Sequence, residues 1–156
     1  MTRANPDNAG VIAPPPLIFG IPLAIALYEN QSKPFAILDP RYGRIAGIAL
    51  SAVGVLLMTA AMIQFLRAHT AIVPNRTTTA LVESWPYSMS RNPIYLALAL
   101  VYVGVSLYFD TLWPFLLLPL VLIVMQRGVI DREERYLEGK FGGEYIEYKM
   151  RVRRWL

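Results

Sequence analysis

Four apolar stretches, at residues 11–28, 43–66, 93–109 and 111–126, take up about half of the chain and decide what it can fold into. A helix that crosses a ~30 Å hydrocarbon layer needs ~20 mainly apolar residues. The second stretch meets that length comfortably. The third and fourth are shorter and are joined only by the region around Asp110, so they read as a tight helical hairpin. In the first, Pro14, Pro15, Pro16 and Pro22 remove backbone donors that lipid cannot replace, and its helix is expected to begin only after Pro16. Hydrophobic residues make up 55% of the chain and charged residues 17%, and mean hydropathy is +0.40, a balance poorly suited to covering a soluble domain of this size. The expectation is an all-α, polytopic membrane protein: one domain over residues 1–156, about four transmembrane helices, and a short helical C-terminal region in the cytoplasm.

A cleaved signal peptide is the rival reading of the first stretch. It is disfavoured because the leading segment carries Arg3 alone beside Asp7, and no small-x-small cleavage site precedes residues 29–35. Basic residues set orientation, since cytoplasmic flanks hold the excess of Lys and Arg. Eight of the 15 follow Met125, whereas the 108–112 turn has none. With four spans, both termini and the 67–92 loop with Arg67, Arg76 and Arg91 face the cytoplasm. Lys33, Arg41 and Arg44 then flank the outer side, against the trend.

The chain has no cysteine, which removes disulfides, thiolate nucleophiles, iron–sulfur ligation and Cys-based zinc sites. His69 is the single histidine and reads as a polar loop residue at a membrane edge. No metal site is expected.

Two polar constellations remain. In "SRNPIY", Asn92 is a favoured N-cap and Pro93 suits the first helical position, so a span should start there. Arg91 beside a helix N-terminus makes either an anion seat at the bilayer surface or simply a capped helix with an interfacial arginine. The second constellation is "DREERYLEGKFGGEYIEYKMRVRRWL". Glu133 and Glu134 fall about two turns past Arg127, just outside the headgroups, with Leu137 one turn on as a packing residue. Phe141, Gly142 and Gly143 should break the helix. Tyr145 and Tyr148 then share one face of a short amphipathic helix running into Arg151 and Trp155. Composition alone favours an interfacial helix drawn to anionic lipid.

Together and in this order, Arg91-Asn92-Pro93-Ile94-Tyr95, a hairpin, Glu133-Glu134-Arg135-Tyr136-Leu137, Phe141 through Tyr148 and Val152-Arg153-Arg154-Trp155 resemble the integral-membrane methyltransferases. That group includes isoprenylcysteine carboxyl methyltransferase and phosphatidylethanolamine N-methyltransferase. The resemblance covers about residues 64–156 and includes "LVESWPYSMS", with the N-terminal spans at about 11–66 preceding it. The chain departs from the family pattern at Trp85, where glycine is usual, at Ser88 and Met89, which replace arginine and an aromatic, and at Arg153, which replaces a proline. Some members carry an arginine one turn before the paired glutamates. Val129 or Ile130 stands nearest that place here, leaving Arg127 or Arg132 to substitute.

The resemblance implies S-adenosylmethionine as cofactor, S-adenosylhomocysteine as product, and methyl transfer to a lipophilic acceptor that enters from the bilayer. Arg91, Asn92, Pro93, Tyr95, Glu133, Glu134, Tyr145 and Tyr148 would enclose the cofactor at the cytoplasmic surface. For a phospholipid amine, Glu133 or Glu134 would take the proton; for an isoprenylcysteine-type carboxylate or a thiol, a cation such as Arg127, Arg151 or Arg154 would face the acceptor. Membrane lipids are the expected partners, with no nucleic acid and no metal. Two other readings stand beside this one: an NADPH-dependent membrane reductase of the sterol or steroid type, and a non-enzymatic membrane interaction protein with a basic tail.

Overall fold

The structure is a computed structural model that describes residues 9–68 and 80–156; His69 and Arg76 lie outside the described residues. It is all-helical, with no strand among the described residues. Helices α1 (Pro15–Ser32), α2 (Pro40–Arg67), α3 (Pro93–Tyr108) and α4 (Trp113–Met125) pack as a bundle. A single π-helical turn, Gln126–Ile130, carries α4 into α5 (Asp131–Phe141), and α6 (Gly143–Arg151) follows.

Two helical runs, Pro40–Arg67 and Trp113–Phe141, are long and apolar enough to cross a membrane, and α3 is a shorter apolar helix. In α2 the buried positions are Gly43, Gly47, Gly54 and Ala61, while Ile45, Ile48, Leu56 and Leu66 face outwards. Small residues inside and large apolar residues outside is the arrangement expected when lipid is the solvent.

The reason for the glycines is the backbone of α3. A Cβ on Gly47 would lie 2.5 Å from the Gly104 carbonyl oxygen and 2.5 Å from the Tyr108 nitrogen, and one on Gly43 2.8 Å from the Leu107 oxygen. On the facing side a Cβ on Gly104 would collide with Ser51. The α2–α3 pair is therefore a close backbone approach that no larger residue permits.

α1 begins at Pro15, two residues before the predicted start after Pro16, because a proline in the first turn gives up only an N–H that has no helical partner. α2 begins at Pro40, earlier than expected, with Asp39 as its cap: the Asp39 carboxylate accepts from Arg41 N at 2.8 Å. The predicted hairpin is present, with residues 109–112 linking α3 to α4. Asp110 holds a left-handed backbone (φ 47°), which a short polar residue tolerates, and its carboxylate accepts from Ile37 N at 2.9 Å and Leu38 N at 2.8 Å. Trp113 Nε1 donates to the Lys33 carbonyl at 2.8 Å. The α1–α2 linker is thus clasped to the hairpin at one end of the bundle, while residues 9–14, 80–92 and everything after Met125 gather at the other.

At that second end the π turn leaves a carbonyl free, and Ile12 N donates to Gly128 O at 3.2 Å. The helix break at Gly142 is as expected, with φ at 56°, where glycine is favoured. The last helix stops sooner than predicted: Val152 is extended, and Trp155 leaves the helix to pack against the main core cluster of Ile18, Tyr95, Met125 and Ile130.

Candidate active site

The C-terminal tail is what closes the polar end. Arg91 N donates to Arg153 O at 3.0 Å, and Asn92 Nδ2 donates to Arg154 O at 2.9 Å. Tyr148 Oη donates to the Tyr87 carbonyl at 2.7 Å, and Arg151 reaches Glu83 at 2.7 Å. Asn92 occupies the N-cap position of α3 with Pro93 after it, as expected, yet its side chain makes no capping bond. It holds the tail instead. The anion seat expected from backbone N–H groups is correspondingly reduced: Arg91 N and Asn92 N already have partners in Arg153 O and Ser90 Oγ, and Pro93 has no N–H. The charge that remains for an anion is the Arg91 guanidinium.

These contacts frame an open cleft of about 850 Å3, a volume that includes solvent at its mouth. All eight residues expected to enclose a cofactor line it: Arg91, Asn92, Pro93, Tyr95, Glu133, Glu134, Tyr145 and Tyr148. They come from α3 and the two residues before it, from α5 and from α6, and the π turn is the step that carries α5 in from the apolar helix. Tyr145 and Tyr148 are buried in protein with Leu137, Phe141 and Val152, not laid out along a lipid interface. Leu137 is therefore the packing residue it was expected to be.

The paired glutamates differ. Glu134 is nearly buried and fully engaged: Arg154 binds it through Nε at 2.9 Å and Nη2 at 2.6 Å, and Arg91 Nη2 lies 3.2 Å away. Its hydrogen bonds to Glu134 raise the pKa of Arg154. Glu133 takes one strong bond, from Tyr95 Oη at 2.6 Å, and what exposure it has is to the cleft. It sits on the polar α5, beyond the apolar run that ends at Ile130. Burial pushes its carboxyl up to about 7, opposed by the Tyr95 bond and helped by the Glu134 charge. Burial likewise raises the Tyr145 and Tyr148 phenols, so both stay protonated.

Arg91 is incompletely satisfied. Its Nε and Nη1 are buried with no hydrogen-bond partner, so a buried cation in the cleft wall keeps donors for an anionic guest. The three other arginines expected near an acceptor are elsewhere. Arg127 is exposed in a shallow groove with Leu122, Gln126 and Trp155; Arg151 is on the surface with Glu83; Arg154 is committed to Glu134 and Asp131. No substitute for the family's arginine before the glutamates reaches the cleft: Val129 and Ile130 are core residues, and Arg132 Nη1 donates to Gly10 O at 2.9 Å. Among the described residues lining the cleft, Arg91 is the one cation. Trp85, Ser88, Met89 and Arg153 are all exposed, so the side-chain departures from the family pattern fall outside the cleft.

Sequence reasoning missed part of the wall. Tyr87, Val82, Leu81, Phe65 and Tyr136 also line the cleft. Leu81, Val82 and Tyr87 lie inside "LVESWPYSMS" and Tyr136 beside the paired glutamates, stretches already recognised as family-like, which was their available signal; Phe65 is an ordinary apolar residue that only tertiary packing singles out.

No solved structure matches the chain. A 63-residue match at 41% identity covers 40% of this chain and the whole of an uncharacterized protein of Haemophilus influenzae. A second relative, a cobalt-zinc-cadmium resistance protein of Cupriavidus metallidurans, is 32% identical over 80 residues, 51% of this chain and 37% of that protein's length. The phospholipid methyltransferase family matches residues 42–144, which include α2, the hairpin, both glutamates and the α5–α6 break. Since that match spans about two thirds of its length, the chain belongs to the phospholipid methyltransferase family, a family of membrane methyltransferases.

Proposed function

We propose that the protein transfers a methyl group from S-adenosylmethionine to the amine of a membrane lipid. The observation that carries this reading is the buried Arg91 guanidinium, with two nitrogens unpartnered, in the same cleft as the Tyr95–Glu133 pair. A cation lacking partners fits the cofactor's carboxylate, and buried tyrosines with a carboxylate fit its hydroxyls and its positive charge. When bound, the cofactor supplies a methyl group activated by a sulfonium sulfur.

The residues of the chain do the rest. Arg91 holds the carboxylate end, Tyr145 and Tyr148 wall the cleft and exclude water, and Asn92 and Pro93 fix the start of α3 beneath it. Glu133 accepts the proton that an ammonium acceptor must lose before its nitrogen can form the new bond to carbon. An amine is favoured over a carboxylate or thiolate because Arg127, Arg151 and Arg154 do not line the cleft, and its one cation is required by the cofactor.

Four spans are part of the proposal, α1, α2, α3 and α4, with α5 and α6 outside the bilayer. The cleft and the C-terminus then face the cytoplasm, supported by the basic residues gathered around the cleft end. The family match favours this activity over the NADPH reductase and the interaction protein.

The test is equilibrium binding of S-adenosylmethionine, with NADPH as comparison, to the detergent-purified protein and to Glu133→Gln, followed by tritium transfer from the cofactor into phosphatidylethanolamine vesicles. Selective cofactor binding and labelled lipid support the assignment. Binding of neither cofactor in the presence of lipid returns the protein to the interaction reading.

A further inference from the structure

We propose that the hydroxyl of Tyr87 is the hydrogen-bond partner of the acceptor's amine, and that the acceptor reaches it along the apolar wall formed by Phe65, Val82 and Ile94. This rests on reading the cleft as a methyl-transfer site and names how that site recognises its lipid.

Tyr87 is 6% exposed, lines the cleft, and its Oη is buried with no hydrogen-bond partner. The ring is fixed from two directions. Phe65 meets it edge-on at 5.3 Å and 89°, and Tyr148 Oη holds its backbone carbonyl at 2.7 Å. A buried phenol that is rigidly held and unpaired is unfavourable for the empty protein, and a tyrosine persists there when a guest supplies the missing bond. Burial, then the proximity of Tyr148 and Glu133, keeps the phenol protonated. A neutral phenol oxygen retains lone pairs to accept an amine N–H.

The two sides of the cleft differ in chemistry. Arg91, Glu134, Tyr145 and Tyr148 make one side polar. Tyr87 belongs to the other, an apolar cluster with Ala61 and Val82 onto which Phe65 and Ile94 pack. Phe65 lies near the end of an α2 whose large residues face lipid, so this side continues the membrane-facing surface of the bundle. Glu133, the proton acceptor of the proposed reaction, lines the same cleft as Tyr87. An amine headgroup led in by its acyl chains would meet the phenol oxygen and the carboxylate together.

Tyr87→Phe keeps the ring, the Phe65 contact and the backbone bond, and removes only the hydroxyl. Three quantities are measured against wild type: S-adenosylhomocysteine affinity, melting temperature in detergent, and steady-state methylation of dioleoylphosphatidylethanolamine in mixed micelles. The expected result is cofactor affinity within twofold, a melting temperature equal or higher, and kcat/KM for the lipid lowered at least tenfold. Unchanged kcat/KM overturns the proposal. So does a matching loss of cofactor affinity or of melting temperature, which would give Tyr87 a cofactor or structural role. A wild type that binds the cofactor but leaves phosphatidylethanolamine unlabelled overturns the pairing of Tyr87 with an amine. A wild type that binds no cofactor fails earlier, at the proposed function itself.

Discussion

Glu134 and Arg154 meet through two parallel hydrogen bonds, Nε to Oε1 at 2.9 Å and Nη2 to Oε2 at 2.6 Å, and this fork ties the last residues of the chain to α5. The Arg154 carbonyl in turn accepts from Asn92 Nδ2, so one residue joins the start of α3 to the paired glutamates. Glu133, one position earlier, has no such restraint and keeps its carboxylate at the cleft.

The two ends of that fork should not be equally costly to remove. Arg154→Ala leaves Glu134 facing Arg91 at 3.2 Å and Lys149 at 4.0 Å, and Arg154 is itself about a third exposed. The expected loss is about 1–2 kcal/mol, with earlier proteolytic cleavage of the tail. Glu134→Ala strands the buried Arg91 with no carboxylate and should cost about 3 kcal/mol or more. Thermal unfolding of both variants in one detergent checks the order; equal losses would mean that stranding Arg91 carries no cost beyond loss of the fork.

Glu133 predicts a pH dependence with a definite sign. Its folded carboxyl titrates at about 7 against an ordinary 4.5, so between these values the folded state holds a proton that the unfolded state has lost. Stability from this group is fully present below the ordinary value and falls, on the order of a few kcal/mol, as pH rises through about 7. Activity runs the other way, since a base must be deprotonated: kcat/KM should rise with pH through about 7. Glu133→Gln should abolish turnover and flatten the stability profile across this window. Retained turnover would remove Glu133 from the proton path.

The features that could be read from sequence are the local ones. The start of α3 at Asn92-Pro93, the break at Gly142 and the shared face of Tyr145 and Tyr148 follow from cap preference, left-handed backbone and helical spacing, all set within a few residues. Asn92 shows where this stops. Its position was legible, but its side chain serves a carbonyl 62 residues away. The fates of Arg127, Arg151 and Arg154 were illegible for the same reason, because an arginine's partner depends on which surface the tail folds against. The glycines of α2 went unread since their meaning lies in the α3 backbone opposite them.

Arg91 should dominate cofactor affinity. Arg91→Ala removes the one cation lining the cleft, so S-adenosylmethionine affinity should fall by about 10- to 100-fold, given ~1.4 kcal/mol per tenfold. Arg91→Lys should recover little, because an ammonium cannot reproduce the planar donors at Nε and Nη1. Isothermal titration of the three proteins decides it; wild-type affinity in Arg91→Ala would move the cofactor's carboxylate elsewhere in the cleft.

The α2–α3 contact makes a sharp prediction from the smallest possible change. A methyl group at Gly47 would sit 2.5 Å from two backbone atoms of α3, which cannot turn away as a side chain could. At Gly20, in the interior of α1, the same methyl meets nothing within 4 Å. Gly47→Ala should therefore force the helices apart and cost about 1–3 kcal/mol. Gly20→Ala should be neutral or stabilising by up to about 1 kcal/mol, since alanine favours the helix. Because α3 carries Tyr95 in its first turn and follows directly on Arg91 and Asn92, Gly47→Ala should also weaken cofactor binding while Gly20→Ala leaves it unchanged. Melting temperature and cofactor titration on both variants test this, and a Gly47→Ala protein that melts and binds like wild type would show that α2 does not set the position of α3.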